Sequence, residues 1–389
     1  MSFVRDWEGR LSGSGAVSET AVSGIDVLGF FTAEHGVGEA ARGLVGTLRS
    51  IGVPVSTINY TDTESRTGHE YLTDDVSNRS VLLVALNADH IPAAHRIMGR
   101  EFFADKYVVS QWFWELEQAP HWFEDAYPHV DEIWAPTRFI QEMLQRSAPS
   151  RVRVRYMPPV VEPPAIDAAL SLGDFRLDER FTFLFSFDYM SIARRKNPVG
   201  LVQAFKTAFR EEEGPQLVIK SMNGEKRPSD REELENAAGS RGDIILLDKY
   251  LTRTETSTLT SLAGCYASLH RSEGLGLTIT EALSLGVPVI ATGYSGNLDF
   301  MDEWNTWRVP ATMTRVGPGA GGYPPRAQWA EPDLCAAAAM MREVWLNQAV
   351  ARRKAVAARD WVLKSFSVQS SAARMSRRLD EIWAELRRG

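Results

Sequence analysis

At 389 residues, 44% of them hydrophobic and 24% charged, the chain can bury large cores and is expected to form about two domains. Its formal net charge of -7 argues against a nucleic-acid binder, which would present a basic face. Two cysteines, Cys265 and Cys335, give neither a disulfide framework nor a zinc spacing, and a reduced compartment is the simplest reading.

Met1 to Ser23 is polar, rich in glycine and serine, without the apolar core of a signal peptide, and is expected to fray. No apolar run approaches the ~20 residues that span a bilayer, so the protein is expected to be cytoplasmic, soluble or at most peripheral on the inner face of a membrane. The first strand is predicted at Ile25 to Phe31. It leads into Gly36-Val37-Gly38-Glu39-Ala40-Ala41, a helix to about Ser50 and a strand near Val53 to Ile58, a βαβ unit. These glycines match G-x-G-x-x-A, the dinucleotide fingerprint, which makes a nicotinamide-dependent oxidoreductase a competing idea. Two features weaken it. The approach to Gly36 is longer than the immediate turn of that fingerprint, and no acidic residue closes the second strand, Asp62 lying too late and in a loop.

Val81 to Leu86 reads as a strand buried on both faces, with Asn87, Asp89 and His90 at its carboxyl end. His90 is read as structural, since no orienting partner can be identified. Tyr107 to Ser110 is a strand running into Gln111-Trp112-Phe113-Trp114-Glu115, where Glu115 stands at the same edge as His90. A further strand is predicted at Val130 to Pro136 and a helix from Thr137 to Arg146, capped by Thr137. Pro158, Pro159, Pro163 and Pro164 mark a stiff linker and a domain boundary.

Beyond it, Phe181 to Phe187 starts a second α/β unit. The basic triplet Arg194-Arg195-Lys196 follows it and precedes a helix at Val199 to Arg210. A short charge run is ordinarily a solvated turn, but at a strand end facing a glycine loop it fits a diphosphate, which needs cations where no Asp-x-Asp metal site exists. Strands are predicted at Leu217 to Lys220 and Ile244 to Leu247, with a charged segment between them.

The stretch His270 to Met301 carries Glu273 and Glu281, seven residues apart, around Gly274-Leu275-Gly276-Leu277-Thr278. A glycine loop feeding a helix N-terminus seats phosphate, because free amides and the helix dipole both favour an anion. Thr278 and Glu281 also satisfy a capping box, which by itself accounts for Glu281. It leaves Glu273 unexplained. A second glycine loop, Gly293 to Asn297, is placed to face the same ligand. Gly317 to Pro325 is predicted as a flexible loop, Trp329 to Asp333 as the start of a helix, and Val368 to Leu386 as an amphipathic helix.

In order, spacing and flanking glycines, EGLGLTITEALSLGVPVIAT resembles the Glu-x7-Glu signature of the family 4 glycosyltransferases, which are retaining enzymes of the GT-B fold. The resemblance implies two Rossmann-like doubly wound α/β domains facing a central cleft. Residues 1–162 would bind the acceptor and residues 163–366 the nucleotide sugar, while a helix at 367–389 would cross back to the first domain. It implies that Lys196 holds the donor diphosphate, that Glu281 binds ribose hydroxyls and that Glu273 meets hydroxyls of the transferred sugar. Gly36 and Gly38 would face the donor across the cleft, Glu115 would touch sugar, and Ser221, Tyr250 and Leu251 would lie where the base is received. Many members carry an arginine six residues before that lysine. Met190 stands there in this chain, so Arg194 or Arg195 must supply the second charge. The implied activity moves a hexose-type sugar from a UDP- or GDP-linked donor to a glycan, lipid-linked or small-molecule acceptor, with no cofactor and no metal. A non-catalytic partner subunit of the same fold is the remaining alternative.

Overall fold

The computed structural model describes residues 24–34, 36–63, 65–74 and 79–388, so the polar segment Met1 to Ser23 lies outside the described residues. Six strands, β1 (Ile25–Gly29), β2 (Val55–Asn59), β3 (Val81–Ala85), β4 (Tyr107–Gln111), β5 (Glu132–Ala135) and β6 (Arg153–Tyr156), form one sheet in the order β2-β1-β3-β4-β5-β6. All its pairings are parallel. A second parallel sheet has the order β12-β11-β10-β7-β8-β9, built from β7 (Thr182–Asp188), β8 (Gln216–Met222), β9 (Ile244–Asp248), β10 (Cys265–Ser268), β11 (Val289–Thr292) and β12 (Trp307–Val309). β1 and β3 are buried along their whole length, as strands covered by helices on both faces must be.

In both sheets the strand order reverses beside the first strand, between β1 and β3 and between β7 and β10. Crevices at such reversals, beyond the carboxyl ends of the strands, are where open α/β sheets take ligands. The loops after β7 and β10 hold Lys196 and Glu273.

The C-terminal helix Val368–Leu386 returns to the first sheet. Met375, Leu379 and Ile382 are buried in one cluster with Ile25, Val27, Leu44, Leu48 and Trp134. Arg378 on this helix donates through Nε to both Glu132 oxygens at 3.0 Å and through Nη2 to Oε2 at 2.7 Å. Both side chains are almost fully buried, so the helix is matched to β5 by charge as well as by apolar surface. No described helix is long and apolar enough to cross a membrane.

One strand was missed and two expectations are corrected. β6 had no apolar run to announce it: RVRY is an edge strand of half-exposed residues. Trp329 to Asp333 does not start a helix; β13 (Ala311–Arg315) and β14 (Gln328–Pro332) pair antiparallel, and Asp333 caps the helix Leu334–Leu346 by accepting from Cys335 and Ala336 amides. The glycine-rich Gly317 to Pro325 segment is the tip of that hairpin. It packs Ala320 and Tyr323 into the first domain's core beside Trp114.

Candidate functional site

The site is built from the loops that follow β7 and β10. After β7, the chain turns at Ile192, a β-branched residue held at φ 64°, a strained conformation that such residues rarely adopt. The Ile192 carbonyl accepts from the amides of both Arg195 and Lys196, so the basic triplet occupies one helical turn, Ala193–Lys196, rather than a loose loop. Asn197 ends that turn at φ 55° and caps the helix Pro198–Ala208 by accepting from the Gly200 amide at 3.2 Å. Its Nδ2 donates to the Leu269 carbonyl at 2.9 Å, which ties the turn to the end of β10.

This places two cations on one carboxylate. Lys196 Nζ lies 2.5 Å from Glu273 Oε1 and Arg195 Nη1 3.0 Å from Glu273 Oε2, with all three side chains largely buried. Arg195 also donates to the carbonyls of Ser272 at 2.8 Å and Ser191 at 3.1 Å. Burial pushes the Glu273 carboxyl upward, but Lys196 and Arg195 outweigh it and hold the group at about 2. Burial lowers Lys196 from the ordinary lysine value, and Arg195 adds to this while Glu273 opposes it. Beneath Glu273, neutral His270 is buried between Ser268 Oγ at 3.1 Å and Asn297 Oδ1 at 3.0 Å. Burial lowers this imidazole below its ordinary range.

The helix after the glycine loop spans Leu277–Ser284, and its N-cap is Gly276 at φ 80°, where a side chain would be strained. The capping-box reading of Glu281 is therefore overturned. Thr278 lies inside the first turn, and no side chain caps the helix. The first-turn amides retain no intrahelical acceptor. Glu281 Oε1 faces Arg253 Nη2 at 3.3 Å, and burial raises its carboxyl against the pull of Arg253. Across the cleft, a side-chain carbon added at Gly36 would lie 3.6 Å from Leu277, so the first domain's glycine loop faces this helix start. Gly38 lacks room for a side chain, since a Cβ would come 2.7 Å from the carbonyls of Ala33 and Phe30.

Other expected residues fall into three groups. Glu115 joins the cluster: its Oε1 lies 3.8 Å from Arg195 Nη2, and its carbonyl accepts from the Ser272 hydroxyl. Gly274 also meets the first domain, its carbonyl accepting from Thr137 Oγ1 at 3.0 Å, while Leu275 is buried in the second domain's core. Tyr250 lies at the cleft under Arg66 of the first domain, 5.4 Å from guanidinium to ring, and Leu251 packs beside it on the core. Three side chains are turned to other work. Arg194 donates to the carbonyls of Pro318 and Val316 and lines a cavity of about 500 Å³ that contains neither Lys196 nor Glu273. Ser221 is buried and donates to Asp248 at 3.0 Å. Asn297 is fully buried between His270 and the Thr292 carbonyl, so its side chain supports the loop and does not face a ligand. His90 is held edge-on against Phe30, as a structural histidine would be.

Sequence reasoning missed Arg253 and Tyr323. Arg253 stands at the start of the helix Arg253–Leu262, where Thr252 and Glu255 form a capping box that could have announced the element. Tyr323 carried no signal within its glycine-rich segment.

Residues 180–311, which include Arg195, Lys196, Glu273 and Glu281, match the family model described as glycosyl transferases group 1. No curated protein matches the chain. Among solved structures, the chain is similar to sucrose-phosphate synthase from Thermosynechococcus elongatus, at 15% identity and a TM-score of 0.69 over 93% of this chain and 100% of that one. It is also similar to an Escherichia coli trehalose-6-phosphate protein bound with UDP-2-fluoro glucose (12%, TM-score 0.64, 92% and 99%). A third likeness is to Anabaena HepE in complex with UDP and glucose (13%, TM-score 0.62, 92% and 100%). The chain has the GT-B fold of two Rossmann-like α/β domains, and the match to the group 1 glycosyl transferase model lies in the second.

Proposed function

We propose that this protein is a retaining glycosyltransferase that moves a hexose-type sugar from a nucleoside diphosphate sugar to a carbohydrate, lipid-linked or small-molecule acceptor without a metal ion. The observation that carries the reading is the Arg195-Lys196-Glu273 cluster at the reversal point of the second sheet, next to a helix N-terminus. In the reaction, the bond between the sugar's anomeric carbon and the diphosphate breaks as the acceptor oxygen bonds that carbon on the same face, and the acceptor's proton passes to the departing diphosphate. Negative charge grows on the leaving group. Lys196, Arg195 and the amides at Leu277 and Thr278 would stabilise it more in the transition state than in the ground state, which is what raises a rate. Glu281 would accept from ribose hydroxyls, and Glu273, already held ionised, from hydroxyls of the transferred sugar.

UDP is favoured as the carrier because the HepE and Escherichia coli structures hold UDP or a UDP-sugar. The oxidoreductase reading loses its support at Gly38, whose missing side chain is explained by packing against Phe30 and Ala33. The test is calorimetry of UDP, GDP and NADH against the full chain, followed by a panel of nucleotide sugars assayed for hydrolysis. Tight binding of NADH with none of UDP or GDP would reverse the assignment.

A further inference from the structure

The hairpin β13–β14 belongs to the second domain by sequence, but its tip is built into the first. Its ladder continues past the strands, with the Val316 amide donating to Ala327 and the Gly317 amide to Pro325. Arg194 pins the outgoing arm through the carbonyls of Val316 and Pro318. Tyr323 then lies in an aromatic box, its ring 5.3 Å from Trp114 and 6.4 Å from Trp329. It is 7% exposed, and its hydroxyl donates to Glu115 Oε2 at 2.8 Å.

The consequence concerns how two carboxylates share one guanidinium. Arg195 lies 3.0 Å from Glu273 but 3.8 Å from Glu115, beyond a hydrogen bond. Glu115 is therefore oriented by a neutral donor, not by the cation. Burial pushes the Tyr323 phenol well above its ordinary range, so it stays protonated and acts as a donor. A phenol does not compete for Arg195, which remains with Glu273. Glu115 is a quarter exposed, so Tyr323 and Arg195 do not wholly enclose its carboxylate.

We propose that Tyr323 is a positioning residue for sugar transfer: delivered by the second domain, its hydroxyl fixes the Glu115 carboxylate of the first domain in the orientation that receives the acceptor's hydroxyl. This rests on the glycosyltransferase reading above. It makes acceptor-side geometry depend on the docking of the two domains, because neither domain alone holds both residues.

The experiment uses the full chain, the nucleotide sugar it hydrolyses fastest, and water and glycerol as acceptors. Tyr323→Phe keeps the ring in its aromatic box, so folding and UDP affinity should stay within about twofold of wild type while turnover falls ~10- to 100-fold, as expected when a reacting group loses its orientation. Glu115→Gln should fall similarly, and the double variant should be no slower than the slower single one. Tyr323→Phe turning over at the wild-type rate, or effects of the two substitutions that multiply, would overturn the proposal. A wild type that consumes no nucleotide sugar defeats the enzymatic reading itself. In that case the same two substitutions, measured by thermal unfolding, must still be non-additive, and independent effects there overturn the Tyr323–Glu115 contact.

Discussion

Arg253 of the second domain lies 3.0 Å from Glu39 of the first, and its other Nη nitrogen lies 3.3 Å from Glu281. One guanidinium thus spans the cleft and rests on the carboxylate assigned to ribose. Because Arg253 is more than half exposed, these pairs add little stability, and solvent and salt screen them. On the proposed reading, a ribose would displace Arg253 from Glu281 at little cost in folding energy.

Glu281→Gln should therefore weaken UDP by about 1.5 to 3 kcal/mol, the range for a lost charge-assisted hydrogen bond, with little change in melting temperature. Calorimetry and thermal unfolding decide it. Equal UDP affinities in variant and wild type would remove the ribose assignment.

Glu273→Gln should behave in the opposite way. Lys196 and Arg195 lose the anion that occupies them, so UDP should bind at least as tightly as before, while turnover falls because the sugar's partner is gone. A variant that loses UDP affinity and keeps its turnover is the result that contradicts this.

The same glutamate sets an acid limb of stability. Its carboxyl is held at about 2 in the folded chain against an ordinary 4.5, so the unfolded chain binds the proton first as pH falls. The stabilisation is fully present above about 4.5 and is lost progressively down to about 2. Urea unfolding across this window should show a shallower pH dependence in Glu273→Gln than in wild type, and parallel curves would count against the ion pair.

Lys196→Ala should cost about 3 to 4 kcal/mol of transition-state stabilisation, the loss typical of one oriented donor to a developing charge. Under the proposed mechanism Lys196 and Arg195 would take the place of a cation, so wild-type turnover should survive EDTA. Activity abolished by chelation and restored by manganese would falsify the metal-free mechanism.

Arg378→Ala should destabilise the fold by about 3 to 5 kcal/mol, because Glu132 is left buried with its charge uncompensated, although Tyr107 and Trp134 still donate to it. Denaturant unfolding measures this directly. A loss under about 1 kcal/mol would mean that apolar packing alone holds the returning helix.

What the sequence determined was local and repetitive. Buried parallel strands such as VLLVA are continuous apolar runs because helices cover both faces, so β1, β3, β7 and β8 were visible within a residue or two. Glycine loops before helices, the Thr137 cap and the spacing of Glu273 to Glu281 were likewise visible, because each depends on neighbours a few residues away. Tertiary structure alone decided which partners the charged groups take. Arg194 and Arg195 are adjacent in sequence, yet Arg194 goes to the hairpin carbonyls of Val316 and Pro318 and Arg195 to Glu273, on a turn entered at the strained Ile192 and tied down by the Asn197–Leu269 bond. Tyr323 meets Glu115, and Arg378 meets Glu132, across more than 200 residues of chain. No local propensity or periodicity encodes such contacts, since they depend on surfaces that become neighbours only in the folded chain.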